Sequence, residues 1–327
     1  MGKMKQILIS NFGGSDTLQI VDAEVPNPTP TQVIVKVAAA GVNFLDIYQR
    51  QGSPLYGLTP PFIPGLEGAG IIEKIGTEVT KFKVGQAVAW ASALGSYRQY
   101  HAIDVEKLVL VPEGINLEIA AAAMLQGTTA HYLTHSTYPI KKGDVALVHA
   151  AAGGTGRLLC QVILNMGGTV IASTSSDEKA QLVREIGVKH IIRYDREDIL
   201  TQVKEFTDGK GVDVVFDGVG AKTFDQSLSC LKPRSMMVLF GAASGPVPPF
   251  ELQRLNSGGS LFITRPTLAH HVASNEELTM RAEAVFDLIL DKQLVVRVGK
   301  TFPLSDAPQS HDELASGKTT GKLLLIP

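Results

Sequence analysis

The period of apolar and polar positions changes once, near residue 115. Before that point the runs are short and strand-like. Lys5–Ser10 alternates in part, and Gln32–Ala40 sets Val33, Val35 and Val37 against polar or small neighbours. Gly70–Ile75 and Ala87–Ala91 are further short apolar runs, and Pro26-Asn27-Pro28, Pro60-Pro61, Pro64-Gly65 and Gly85 punctuate them. Several short strands at such spacing predict a small barrel or sandwich. From about Asn116 the text becomes helical. Leu117–Met124 is alanine-rich, and Gln126–Leu133 continues into a second helix. Strands and helices then alternate. Strands are expected at Val145–Val148, Thr169–Thr174, His190–Tyr194, Val212–Asp217, Ser235–Phe240 and Ser260–Thr264. Helices are expected after Gly156 and at Asp177–Ile186, Asp198–Phe206 and Thr223–Leu231. That alternation predicts an α/β, doubly wound parallel sheet. The tail breaks it: a long amphipathic helix at Asn275–Leu290, then strands at Val295–Phe302 and Lys322–Ile326 around a short helix at Ala307–Ala315. Those strands are candidates to rejoin the first domain.

Composition narrows the class. The chain has 327 residues, 44% of them apolar, and a net charge of −2. Its pI is about 6.5 and its mean hydropathy +0.13. No global basic field draws it to nucleic acid, so no nucleic-acid partner is expected. No apolar run is long enough to span a bilayer, and the first residues lack a signal-peptide pattern, so a cytoplasmic protein is expected. Two cysteines, Cys160 and Cys230, argue against a disulfide framework or a cysteine-rich zinc site. The eight histidines are scattered without zinc-ligand spacing, and no metal is expected.

The most informative stretch is Val145–Gly156, VALVHAAAGGTG. A buried strand leads into small residues and then a helix, which brings unpaired helix amides and the positive end of the helix dipole to a strand end. Such an arrangement can hold a pyrophosphate. Against the pattern G-x-G-x-x-G, Ala151 takes the first position, Gly153 the second and Gly156 the third. Ala152, Gly153, Gly154, Thr155 and Gly156 are the phosphate candidates.

Nucleotide choice is read at the end of the next strand. An NAD binder places a carboxylate there for the ribose hydroxyls. This chain has Thr174 and Ser175 instead, with Lys179 one turn further on. Hydroxyls and an ammonium suit a 2′-phosphate, so NADPH is the expected cofactor. Tyr194, at the end of the third strand, is a candidate to cover the adenine or to add a hydroxyl. Phe240 and Gly241, at the carboxyl end of a later strand, are candidates to line the nicotinamide. Asp217 ends another strand and reads as a structural residue at a strand end or helix cap.

Taken together, these motifs resemble the zinc-independent quinone oxidoreductases, the zeta-crystallin-like group of the medium-chain dehydrogenase/reductase superfamily. The resemblance runs over nearly the whole chain. Its marks are Gly41–Asp46 (GVNFLD), Pro61–Gly70 (PFIPGLEGAG), Gly127–Ala130 (GTTA), Ala150–Gly156 (AAAGGTG), Asp217–Gly220 (DGVG) and Thr264–Thr267 (TRPT). It implies a discontinuous GroES-like β-rich catalytic domain, residues 1–125 and 270–327, around a Rossmann NADPH-binding domain, residues 126–269. Zinc-dependent relatives carry a cysteine and a histidine where this chain has Asn43 and Leu66. The same likeness implies hydride or electron transfer from NADPH to a small-molecule quinone. It places Asn43 at the nicotinamide region and makes Asn43 and Tyr48 the candidates to hydrogen-bond the acceptor oxygen. It sets Gln126 and Thr129 near the nicotinamide ribose or amide. Lys318 and Lys322 are weaker phosphate candidates and read as solvated. Ser260–Thr264 is implied to lie at a sheet edge that pairs with a second subunit, giving a homodimer. Two other readings stay open: reduction of an activated C=C bond in an enal, enone or enoyl thioester, and NADPH binding in a non-enzymatic, crystallin-like or RNA-binding role.

Overall fold

A computed structural model describes residues 2–54 and 57–327. The chain divides into two compact units, residues 1–128 with 272–327, and residues 129–271.

The first unit opens with β1 (Lys3–Ile9) and β2 (Leu18–Glu24), an antiparallel pair on its own. Then come β3 (Gln32–Val42), helix α1 (Phe44–Arg50), β4 (Gly68–Ile75), β5 (Ala87–Trp90), β6 (Tyr100–Asp104) and β7 (Val109–Leu110). Helix α2 (Leu117–Tyr132) leads into the second unit. It is one continuous helix where the sequence suggested two, since nothing between Met124 and Gln126 breaks the backbone ladder.

In the second unit β8 (Val145–Val148), α3 (Gly154–Asn165), β9 (Thr169–Thr174), α4 (Asp177–Arg184), β10 (His190–Arg193), α5 (Ile199–Phe206), β11 (Val212–Asp217), α6 (Phe224–Ser229), β12 (Leu231–Leu239), α7 (Gln253–Ser257) and β13 (Phe262–Thr264) follow in order. All six strands pair in parallel, in the spatial order β10-β9-β8-β11-β12-β13. Numbered within the unit this is 3-2-1-4-5-6, the doubly wound order that reverses direction between its first and fourth strands. Ala146, Leu147 and Val148 of β8 are buried, as a strand covered by helices on both faces must be. Burial of Leu147 and of Val148 contributes about 1.5–3 kcal/mol each. Two of the helices, α4 and α5, start on side-chain caps: Ser176 accepts from Lys179 N–H at 3.1 Å and Asp198 from Thr201 N–H at 2.9 Å.

The chain then returns to the first unit as α8 (Asn275–Leu290), β14 (Val298–Pro303), α9 (Ala307–Ala315) and β15 (Lys322–Ile326). β15 pairs antiparallel with β3, Leu323 opposite Val42 and Leu325 opposite Ala40. The sheet runs β14-β15-β3-β4-β5-β7, with β6 also on β3. β3 is thus central: Val33, Val35 and Val37 are buried with Lys36 exposed between them, and Ile34 is buried as well.

Candidate active site

In the second unit the candidate residues gather at the carboxyl edge of the parallel sheet. β8 ends at Val148, and the turn Ala150–Gly153 leads into α3 with Gly153 as its cap residue. A Cβ on Gly156 would lie 2.5 Å from the Ala150 carbonyl oxygen and 2.9 Å from Ala151 Cα. Helix and turn therefore touch at a distance that only glycine permits. The first amides of α3 face this turn without intrahelical partners, which suits an anion.

A buried hydrogen-bond chain supports the turn from below. His149 Nδ1 lies 2.9 Å from Ser173 Oγ, and Nε2 lies 3.0 Å from Ser227 Oγ. Ser227 in turn donates to Asp217 Oδ2 at 2.8 Å. Because that proton is spent on the carboxylate, Ser227 Oγ accepts from His149, which fixes the Nε2–H tautomer. Ser173 then donates to the bare Nδ1. Burial holds the His149 pKa below its ordinary value, with Asp217 opposing the shift. Asp217 also takes the N–H groups of Val219 (2.8 Å) and Gly220 (3.1 Å) and the Thr223 hydroxyl (2.7 Å). It ends β11 and organises the following loop, as a capping residue does. Gly241 lies against that loop. A Cβ there would meet the Gly218 carbonyl oxygen at 2.3 Å. Phe240 and Gly241 follow β12 directly and are half-buried.

At the end of β9, Thr174 is buried, and its Oγ1 has no hydrogen-bond partner among the described residues. Ser175 and Lys179 are half-buried, and Tyr194 is 50% exposed. Burial lowers the Lys179 pKa. The nearby carboxylate, Asp177, is occupied. Arg193 Nη1 pairs with it, and Arg196 Nη2 lies 3.2 Å from it. Arg193 also pairs with both oxygens of Asp195 at 2.8 Å. These partners hold the Asp177 carboxyl below its usual range, the Arg193 hydrogen bond first among them.

In the first unit the decisive cluster surrounds Asn43. This residue follows β3 directly and caps α1, but its side chain turns to two other partners. Its Nδ2 donates to Glu67 Oε2 at 2.9 Å, and its Oδ1 accepts from Lys322 Nζ at 2.7 Å. Lys322 Nζ also pairs with Glu67 Oε2, and Glu67 Oε1 accepts the Leu125 N–H at 2.6 Å. Lys322 is 1% exposed and Glu67 fully buried. The reading of Lys322 as a solvated lysine is therefore corrected: a lysine of a β15 run that is otherwise aliphatic is buried because a carboxylate and an amide oxygen meet it. Opening one side of such a buried pair costs about 3–5 kcal/mol. Gly41 makes room for it. A Cβ there would lie 2.2 Å from Glu67 Oε2 and 2.7 Å from Lys322 Cε.

Below Asn43 lies a second group. Asp46 Oδ2 accepts the Asn43 backbone N–H at 2.8 Å and the Tyr97 hydroxyl at 3.2 Å. Tyr97 Oη lies 3.0 Å from His311 Nε2. Burial pushes the Asp46 carboxyl up to about 7, against the pull of the Asn43 amide and Lys322. Burial also pushes His311 down to about 3. Tyr48, on α1, is half-buried beside Phe44, their rings 6.3 Å apart. Gln126 and Thr129 sit one turn apart on α2. Sequence reasoning passed over Glu67, Asp46, Tyr97 and His149. Glu67 and Asp46 sat inside quoted motifs, but a single acidic residue in a glycine-rich stretch signals nothing until its partners are known.

Zinc does not fit this cluster. Asn43 and Leu66 offer an amide and an aliphatic side chain, and Glu67 is spent on Lys322, so this donor set does not suit the ion. Among the described residues no three His, Cys, Asp or Glu side chains group to hold a metal ion.

Residues 29–138 match the alcohol dehydrogenase GroES-like domain, and residues 154–288 match the zinc-binding dehydrogenase family. A quinone oxidoreductase of Pseudomonas aeruginosa is 43% identical over 99% of both chains. The chain belongs to the quinone oxidoreductases of the medium-chain dehydrogenase/reductase superfamily. The solved quinone oxidoreductase of Escherichia coli, complexed with NADPH, superposes with a TM-score of 0.95 at 40% identity, covering 99% of this chain and all of that one. A 2-haloacrylate reductase of a Burkholderia species is 40% identical over 98% of each chain. This quinone oxidoreductase fold therefore combines a GroES-like domain with a Rossmann domain, and the chain is an oxidoreductase by family.

Proposed function

We propose that the chain is an NADPH-dependent quinone reductase that works without a metal. The observation that carries the reading is the full-length likeness to quinone oxidoreductases, joined to a β9 end that offers Ser175 and Lys179 with the neighbouring Asp177 tied to arginines. Two features support the cofactor: the turn carries nothing larger than alanine up to Gly154, with no room for a Cβ at Gly156, and the buried Thr174 hydroxyl at the end of β9 is left without a protein partner. Ala152–Gly156 would hold the pyrophosphate, Thr174, Ser175, Lys179 and Tyr194 the adenosine phosphate, and Thr129, Phe240 and Gly241 the nicotinamide end. Bound NADPH would supply a hydride, that is two electrons and one proton. The chain's part is placement and a hydrogen bond to the acceptor oxygen, from Asn43 and Tyr48. A quinone needs little more, because its reduced oxygen is stabilised by the aromatic ring it creates. Tyr48 or a solvent molecule donates the remaining proton.

The 40% identity to a 2-haloacrylate reductase favours a second reading, reduction of an activated C=C bond on the same scaffold. The two compact units correspond to the catalytic and nucleotide-binding domains. β13 lies at the edge of its sheet, with Phe262 56% exposed, and we assign it to the homodimer contact. We assign the protein to the cytoplasm. The test of the cofactor assignment is a pair of titrations, NADPH and NADH, on the parent chain and on Lys179→Met. The reading expects NADPH to bind tighter and the substitution to erase the difference. Equal binding of both cofactors by the parent chain defeats it.

A further inference from the structure

Lys322 and Glu67 do more than fill the space beside Asn43. We propose that they lock and polarise its amide, so that Asn43 offers the substrate a hydrogen-bond donor and never an acceptor. The inference rests on the reading of Asn43 as the residue that meets the acceptor oxygen.

An asparagine amide can turn over and exchange its N–H and oxygen ends at little cost. Here it cannot. Oδ1 faces the Lys322 ammonium at 2.7 Å, and Nδ2 faces Glu67 Oε2 at 2.9 Å. Flipping the amide would set NH2 against NH3+ and the amide oxygen against a carboxylate. Both partners are themselves fixed. Glu67 takes the Leu125 N–H on its other oxygen, and Lys322 sits in β15 paired to β3. Gly41 leaves them no slack, since a Cβ there would already overlap both. One Nδ2–H of Asn43 is spent on Glu67, and the second is the proton the side chain has left to give.

Two chemical consequences follow. The ammonium on Oδ1 draws electron density from the amide and strengthens the remaining Nδ2–H as a donor. That donor gains most against an oxygen that is becoming negative, so it stabilises the transition state more than the bound quinone. It also sorts ligands by degree: a carbonyl or developing oxyanion offers its full lone-pair density to this N–H, whereas the hydroxyl of a reduced product is a weaker acceptor that must first turn its own proton away. Lys322 and Glu67 are thus positioning residues, and Asn43 is the group that touches substrate.

The test is a cycle built on Asn43→Ala and the double variant Lys322→Met/Glu67→Gln, each in the holoenzyme with 1,4-benzoquinone. The double variant removes both charges together. Its thermal transition and its NADPH affinity, read by nicotinamide fluorescence, should stay close to those of the parent. Its kcat should fall by roughly 100-fold, the usual cost of one such donor, with KM changed less than threefold. Placed on Asn43→Ala, the same two substitutions should cost nothing further. An equal loss in both backgrounds overturns the lock and leaves the role of Asn43 standing. Full kcat in Asn43→Ala overturns the site reading and the proposal with it. Should the double variant not fold, Asn43→Asp decides alone: an acceptor in place of the donor must lower kcat below that of Asn43→Ala, and a higher kcat overturns the assignment.

Discussion

Asp217 holds four donors at once, which makes its removal a quantitative test of the loop-and-turn architecture. Asp217→Ala strands the Val219 and Gly220 N–H groups and the hydroxyls of Thr223 and Ser227, all within 2.7–3.1 Å of the carboxylate. Each orphaned buried donor costs about 1–3 kcal/mol, and the two hydroxyls can rotate to other acceptors. A loss of roughly 4 kcal/mol follows, or a Tm lower by about 6 °C for a chain of this size. Asp217→Asn is the sharper variant. It keeps an acceptor for the two N–H groups but presents NH2 to Ser227. Ser227 must then donate to His149 Nε2, and the tautomer moves to Nδ1–H, with Ser173 as its acceptor. Nitrogen NMR of labelled histidine reads this directly. The parent should show Nε2–H and the Asn variant Nδ1–H, with a Tm loss less than half that of the Ala variant. Nδ1–H in the parent, or equal losses for both variants, would refute the reasoning.

Gly41→Ala should destabilise the first unit and lower kcat, because its Cβ would fall 2.2 Å from Glu67 Oε2; a variant with parental Tm and rate would show that the pair can move aside. The Asp46 carboxyl, raised to about 7 by burial, binds its proton more tightly folded than unfolded. Its contribution is therefore present in full below about pH 4 and lost as pH rises toward 7, to a total of roughly 4 kcal/mol. Subtracting the stability–pH curve of Asp46→Asn from that of the parent should reveal this slope, and a flat difference removes it. Gly156→Ala should abolish NADPH binding while leaving the first unit folded, seen as lost fluorescence enhancement with retained Trp90 emission. Burial pushes Cys160 and Cys230 up to about 12 each, so neither thiol should react with a disulfide reagent until denaturant is added.

Most of the second unit was legible because its signals are local. The runs VALV and VDVVFD are strands end to end, and the glycine turn lies between strand and helix as read. In the first unit the failures have a common cause. Helix α1 reads FLDIYQR and buries Asp46, Gln49 and Arg50, so its inward face is polar and its helical period is hidden. β2 is half of an isolated hairpin and mostly exposed, which leaves it little apolar pattern. The Asn43 cluster joins residues 279 positions apart. No window of sequence contains it, and Lys322 taken alone is hydrophilic. Only the pairing of β15 with β3 brings the ammonium to its carboxylate.

The central claim is reduction of a quinone by NADPH. The most direct measurement is NADPH oxidation by metal-free protein with 1,4-benzoquinone, 9,10-phenanthrenequinone and a small enone in parallel, each repeated with NADH. The account predicts fast turnover with a quinone, slow turnover with the enone, and NADPH well above NADH. Turnover with the enone alone, or NADPH binding with no oxidation by any acceptor, would contradict it.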